Sequence, residues 1–307
     1  MSTIESINVT DRIKEGNLAR RKLGQKIAFG FVWLTGFIAV AIVVWIIGYV
    51  LVRGIKVIDL EFLTTRPQGG LEGKGGMSTT IVTTIYLVVL TIAIATPLGV
   101  GAAIYLVEYA AEASRESKLV ATLIKLAHSG VEILAGVPSI IFGLFGFALF
   151  VSALKLKFSL LSAGLSGACL VLPTIIRTSE EALLAVPRSY REASLGLGAN
   201  KWQTNARVVL PAALPGIITG VVLSVGRVVA ETAIFWVTLG GSYHLPDSLL
   251  SAGRTMALHV YMLATETRAF EKAMGTSAIL IVIIIGINLL INITSRRITA
   301  QAMGKKN

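Results

Sequence analysis

The sequence predicts an all-α integral membrane protein with six transmembrane helices, and three observations predict it. Hydrophobic residues make up 54% of the 307 and charged residues only 15%, against about a quarter charged in soluble domains. Mean hydropathy is +0.76. Six apolar runs approach or exceed the roughly 20 residues that cross a ~30 Å hydrocarbon layer, and polar or glycine-rich stretches separate them.

Taken in order, residues 1–27 are polar and basic, with Arg12, Lys14, Arg20, Arg21, Lys22 and Lys26. They read as a cytoplasmic leader able to form an interfacial helix. The first apolar run begins only at Ala28 and continues to Val52, too long for the core of a secretory signal, so it reads as the first span. Residues 53–77 form a loop with Pro67 and a glycine cluster. Its Gly73-Lys74 invites a phosphate-loop reading, but Gln68 stands where that motif needs its first glycine and Gly75 where it needs Ser or Thr.

The second span covers Thr79–Val107 with Pro97 and Gly99 inside it, a proline that a bundle tolerates when neighbours satisfy the freed carbonyl. A polar stretch follows, with Glu108, Glu112, Arg115, Glu116, Lys118 and Lys125. The third span, about Gly130–Leu154, sets Gly136, Ser139, Gly143 and Gly146 at helical spacing. Such a small-residue face lets helices approach closely, which is a packing signal and no chemistry. A turn at Lys155–Lys157 leads to the fourth span, Phe158–Arg177, with Pro173 near its end. The fifth span runs over Ala213–Leu239 with Gly216, Gly220 and Ser224 as another small stripe. Residues 240–275 read as a long polar loop, and the sixth span, Thr276–Ile293, is stopped by Arg296 and Arg297 before a basic tail. The domains are thus a leader (1–27), a six-helix body (28–295) and a tail (296–307).

Between the fourth and fifth spans lies the longest strongly polar interval, Tyr190–Pro211. It reads as a helix, a break at Gly198, and a second short helix stopped at Leu210-Pro211, because proline lacks an N–H and displaces its predecessor from helical geometry. Two short helices at the membrane surface, with Trp202 at headgroup level, make a knob whose plausible use is to dock on something in the cytosol.

The formal charge of +11 raises nucleic-acid binding, but the cations lie between apolar runs and form no continuous basic face. They follow the positive-inside bias instead. With both termini on one side, that side (1–27, 108–128, 177–212, 296–307) has 18 Lys and Arg against 9 on the other, which places the termini and the knob in the cytoplasm. Arg227 belongs to neither side. It lies mid-span with Glu231 at i, i+4 on the same helical face, and an unpaired arginine there costs about 2.5 kcal/mol or more. Two readings follow: a sealed ion pair that pins the bundle, or a face of the translocation path whose planar fork of donors suits a tetrahedral oxyanion. Arg177, at the end of the fourth span, is a second path candidate, or a side chain that snorkels to the headgroups. Arg254 in the external loop reads as solvated or as a contact for a docked partner.

The single cysteine, Cys169, excludes a disulfide framework. His128, His244 and His259 show no metal-ligand spacing. No catalytic triad or nucleotide loop is visible, so the chain has no means of hydrolysing ATP itself.

Glu192-Ala193-Ser194, Gly198, Val208 and Leu210-Pro211 resemble the coupling loop of ABC-transporter permeases, the E-A-A, glycine, I-x-L-P pattern. Ser194 stands for its second alanine and Val208 for its isoleucine. From about residue 77 onward the chain is also similar to the phosphate permeases of the Pst type. The stretches that carry this are Pro97-Leu98-Gly99 with Ala102-Ala103-Ile104-Tyr105-Leu106, Leu134 to Gly146, and Gly226-Arg227 with Ala230-Glu231-Thr232.

The resemblance implies the six-span core of binding-protein-dependent (MetI-like) importers. It also implies a sister permease, a dimer of a cytosolic ATPase that holds ATP and Mg²⁺, and an external phosphate-binding protein, with no cofactor in this chain. Within the type, the A subunit is favoured over its C sister. The likeness makes Glu192, Ala193, Gly198 and Pro211, in a coupling loop of about 187–212, the residues that meet the ATPase, with phosphate as cargo passing Arg227, Glu231 and Arg177. Charge alone leaves sulfate or molybdate open. An ion-coupled secondary transporter or channel is the alternative from another class, but it gives the Glu192 loop no use and commonly brings an internal repeat, and none is found here.

Overall fold

The computed structural model describes residues 2–110 and 117–302, with side chains at 22, 24–110, 117–289 and 293. Glu112, Arg115, Glu116 and the end of the tail lie outside the described residues, as do the side chains of Arg12, Lys14, Arg20, Arg21, Arg296 and Arg297. The chain divides into two units, residues 1–52 and 53–307. The first is the body of α1 (Ser2–Ile55). Leader and first span are one continuous helix rather than an interfacial helix followed by a span, since no proline interrupts them and isolated glycines cost only about 1 kcal/mol each. Residues 24–46 of this helix are exposed, Trp33 and Trp45 among them.

In the second unit, α2 (Leu60–Thr64) and an antiparallel hairpin, β1 (Pro67–Gly69) and β2 (Lys74–Gly75), occupy the loop before the second span. Gly69, Gly70, Gly73 and Gly75 all adopt positive φ, so the glycine cluster serves hairpin geometry. α3 (Ser78–Ile104) runs through Pro97 and ends in a π-helical turn, Tyr105–Tyr109.

The third span is not one straight helix. α4 (Lys118–Ala135) and α5 (Ser139–Gly146, continued by the π turn Phe147–Ala153) meet at 111°. Pro138 sits with ψ of 139° at the break. It cannot continue the hydrogen-bond ladder, and it pushes Val137 out of helical geometry. Among the described residues, five helices are long and apolar enough to cross a membrane, and six if the bent pair is one span.

Lys155 and Lys157 make the expected turn with φ of 54° and 59°. Ser159 caps α6 (Leu160–Leu184) by accepting from the Ser162 N–H, and α6 continues past the expected end at Arg177. α7 (Arg188–Gly196) and α8 (Lys201–Thr204) follow. Pro211 does not stop the next helix. α8 passes through a π turn, Asn205–Val209, straight into α9 (Leu210–Ala230). The looser π turn supplies the place where a proline's missing N–H is tolerated. α9 in turn stops before the expected end of the fifth span: Glu231 is extended (ψ 133°), and α10 (Ala233–Thr238) resumes after Thr232. The polar loop 240–275 contains α11 (Met256–Thr265), capped by the Thr255 hydroxyl on the Leu258 N–H. α12 (Phe270–Ala302) outruns the expected sixth span at both ends.

α6 is the centre of the bundle, packed on α3 and α9 around Leu87, Ala95, Phe142, Val171, Ile175 and Phe235. Lipid gives apolar side chains no drive to associate, so close backbone approach has to supply the attraction. A Cβ on Gly99 would lie 2.7 Å from Ile175, one on Gly146 2.7 Å from Ser166 Cβ, and one on Gly220 2.7 Å from Thr178 Cβ. The small residues at 143, 146 and 220 are contacts, as their spacing implied, whereas Gly136 marks the bend. Overfilling such a contact costs about 1–3 kcal/mol. Gly220→Leu is therefore expected to lower the thermal midpoint of the detergent-solubilised protein by several degrees. Gly226→Ala, where a Cβ meets nothing within 4 Å, is expected not to lower it; equal midpoints for the two would contradict this packing account.

Candidate functional site

The polar interval folds into the elbow that its residues dictate. α7 starts after Pro187 and ends where the N–H groups of Leu197, Gly198 and Ala199 bond to the carbonyls of Ala193, Leu195 and Ser194. Gly198 has φ of 86° and nothing near its missing side chain, so the site requires left-handed backbone and not smallness. Asn200 then opens α8 with a reciprocal capping box: its side chain accepts from the Gln203 N–H while Gln203 accepts from the Asn200 N–H. The hydroxyls of Ser194 and Thr204 bond at 2.9 Å and tie the two arms. Glu192, Ala193, Gly198 and Pro211 are all exposed. Beside them Leu197 is 90% and Trp202 69% exposed, an apolar tip that is open among the described residues.

One elbow residue faces the other way, and sequence reasoning missed it. The Arg191 guanidinium donates from Nε (3.1 Å) and Nη2 (2.7 Å) to Glu108 Oε1, from Nη1 to the Val186 carbonyl at 2.8 Å, and from Nη2 to the Leu183 carbonyl at 2.9 Å. The Arg191 and Glu108 side chains are only 20% and 8% exposed. The Val186 carbonyl lies just past the α6 C-terminus, the Leu183 carbonyl also accepts from the Val186 N–H, and the carboxylate stands in the π turn that ends α3. Lys201 adds a second link to that turn, its ammonium 5.1 Å from the centre of the Tyr109 ring. Removing one partner of a buried pair costs about 3–5 kcal/mol because the other charge stays behind. Below the elbow, Ala103, Leu183, Val186, Val209, Ala213 and Ile217 form a small core of their own.

The mid-span charges are arranged differently from the expected ion pair. The helix stops at Ala230, so Arg227 and Glu231 no longer share an i, i+4 face. Glu231 Oε1 turns forward and accepts from the N–H groups of Ala233 (3.1 Å) and Ile234 (3.4 Å), capping α10. Among the described residues Arg227 has no hydrogen bond or ion pair within the chain. It lies on the exposed stripe of α9 with Thr219, Leu223 and Ala230. Arg177 is exposed and meets Glu132 of α4 at 3.4 Å, with His128 and Glu180 3.8 Å apart one turn away. Thr178 abuts Gly220, seven residues before Arg227, so the two arginines sit roughly 10 Å apart along α9. They share a region and touch neither each other nor Glu231.

Arg254, expected to be solvated, is 4% exposed. Its Nε donates to the Gly241 carbonyl at 2.9 Å, Nη1 lies 3.4 Å from His259 Nδ1, and the guanidinium stacks 4.1 Å from the Tyr243 ring centre. Burial, and then the charges of Arg254 and Lys272, push the His259 imidazole down to about 3, so it stays neutral and accepts. Lys272 is held by the carbonyls of Gly73 and Gly75. This cluster stitches the loop 240–275 onto the hairpin. Among the described residues, no three His, Cys, Asp or Glu side chains group to hold a metal.

Residues 95–301 match the family of binding-protein-dependent transport system inner membrane components. A probable ABC transporter permease protein, YqgI of Bacillus subtilis, is 30% identical over 285 residues, covering 88% of this chain and 94% of that protein. The phosphate transport system permease protein PstA of Mycobacterium leprae is 32% identical over 276 residues, covering 88% of each. Among solved structures, a chain of the bacterial alginate ABC transporter in complex with its alginate-bound periplasmic protein superimposes with a TM-score of 0.60 at 17% identity, covering 87% of this chain and 95% of that one, which speaks to fold alone. The elbow, the bundle and the match over residues 95–301 together make this chain a multi-pass permease subunit of an ABC importer, belonging to the binding-protein-dependent inner membrane component family.

Proposed function

We propose that this chain is the A-type permease subunit of a phosphate importer. It carries inorganic phosphate across the membrane, driven by ATP hydrolysis in a separate cytosolic ATPase that holds ATP and Mg²⁺ and docks on the elbow of residues 187–212. The partners are a sister permease, two copies of the ATPase and an external phosphate-binding protein, and both termini face the cytoplasm. Similarity to PstA of Mycobacterium leprae supports phosphate as the cargo. The observation that carries the reading is the unpaired guanidinium of Arg227 on the exposed stripe of a membrane span. A bare cation there is costly unless its face meets water, protein or an anion, and its planar donors match an oxyanion. Glu231 is engaged with the α10 backbone, which leaves Arg227 available to cargo between loads. Arg177, held by Glu132, lies further along the same route.

In this mechanism the closing ATPase dimer presses on the exposed tip around Glu192, Ala193 and Leu197. α8 continues without interruption into α9, so the push travels along one helix past Pro211 to Arg227. The bundle then passes from outward- to inward-facing as rigid bodies about a fixed site.

The test is uptake by the purified complex in proteoliposomes with its binding protein and ATP. Radiolabelled phosphate is expected to accumulate, uncompeted by excess sulfate or molybdate; preferential uptake of either would overturn the cargo. Arg227→Gln is expected to abolish uptake, by a hundredfold or more, while the subunits still co-purify. A loss confined to assembly would mean that Arg227 only pins the bundle. Gly198→Trp forces a bulky L-residue into left-handed backbone, at about 1–2 kcal/mol. It is expected to leave the protein in the membrane and to cut uptake at least tenfold relative to ATP consumed; unchanged uptake would contradict the docking role of the elbow.

A further inference from the structure

The elbow has an obvious outlet into α9, because α8 and α9 are one helix through the π turn at Asn205–Val209. Nothing in the chain order connects it to α3, which ends some eighty residues earlier. The structure nevertheless joins them. Arg191 projects from α7 away from the exposed face that carries Glu192, and its fork closes on Glu108 with two bonds to one carboxylate oxygen. The same guanidinium holds the Leu183 and Val186 carbonyls, so three elements converge on a single side chain: the end of α3, the end of α6 and the elbow helix.

We propose that Arg191 is a positioning residue for transport, and that its pairing with Glu108 yokes the elbow to the second span so that displacement of α7 moves α3 together with α9. This rests on the function proposed above. Three features support a transmitting contact over a mere staple. Glu108 stands inside a π turn, where Ala110 N–H reaches back to the Tyr105 carbonyl; such a turn is a compliant point in an otherwise stiff helix. The second elbow contact, Lys201 over Tyr109, lands on the same turn, so both arms of the elbow grip it. And the elbow's other route, into α9, also begins in a π turn, which gives each driven helix one irregular segment next to the elbow and a regular helix beyond it. Two guanidinium donors converging on one carboxylate oxygen form a charge-assisted contact that constrains direction as well as distance, as a pushing and pulling linkage requires and an apolar contact does not provide.

The experiment measures phosphate uptake and ATP hydrolysis in one preparation of the reconstituted complex, for wild type, Arg191→Met, Arg191→Lys and Glu108→Gln. Methionine keeps bulk and loses every donor. The expected result is that Arg191→Met co-purifies with the ATPase and hydrolyses ATP while phosphate moved per ATP falls at least tenfold. Lysine, which keeps the charge and loses the fork, and Glu108→Gln, which keeps an acceptor and loses the charge, are expected to fall about threefold. Arg191→Met with the wild-type ratio would overturn the inference. If Arg191→Met fails to assemble, the two milder variants decide: reduced ratios uphold the linkage, and wild-type ratios reduce Arg191 to a folding element and overturn it. Wild type that hydrolyses ATP without moving phosphate would overturn the proposed function and this inference with it, whereas wild type that couples beside an equally coupled Arg191→Met overturns this inference alone.

Discussion

A helix that leaves its regular ladder inside lipid finds no water for the N–H and C=O groups it frees, so the chain itself has to answer each one. That constraint governs where this molecule departs from straight helices and what stands at each departure. Just past the end of α6 the Val186 carbonyl goes to Arg191, which also bonds to the Leu183 carbonyl. At the interruption between α9 and α10 the freed N–H groups of Ala233 and Ile234 go to Glu231. Pro97, Pro173 and Pro215 stay inside continuous helices. Arg191 and Glu231 are thus both bound to backbone at places where one helix ends or the next begins.

The same economy explains why the elbow is rigid. Gly198 supplies the left-handed corner, the Asn200–Gln203 box starts the next helix at once, and Ser194 bonds to Thr204 across the corner. An arm that is capped at both ends and anchored at its base transmits a load; a flexible loop would absorb it. Arg227 stands apart from this pattern: among the described residues it has no hydrogen bond or ion pair within the chain.

Much of this was legible in the residues. Apolar runs marked the spans because crossing lipid imposes a length, and the corner at Gly198 was visible because a glycine between two short polar helices has few other uses. The interruptions inside spans were harder. Pro97, Pro138 and Pro173 look alike in sequence, yet only Pro138 stands at a helix break, with Gly136 closing the helix before it. Arg227 and Glu231 fit an i, i+4 pair so well that the competing demand of the α10 N–H groups for a carboxylate could not be seen. Arg191 and Glu108 are 83 residues apart, and no local pattern predicts a contact at that separation. Arg254 looked like a loop residue, and only the folding of Gly241, Tyr243 and His259 around it makes it internal.

The account stands on the elbow tip meeting a nucleotide-hydrolysing neighbour, and contact there can be read directly. A single cysteine at Leu197, the tip's most exposed apolar position, in a Cys169→Ser background, would be treated in membranes with a short bifunctional thiol reagent after introducing cysteines across the ATPase surface. The account predicts a cross-linked permease–ATPase band whose yield changes when ATP is added. A Leu197 cysteine that is freely alkylated in the assembled complex, and that cross-links to no position on the ATPase with or without nucleotide, would contradict it.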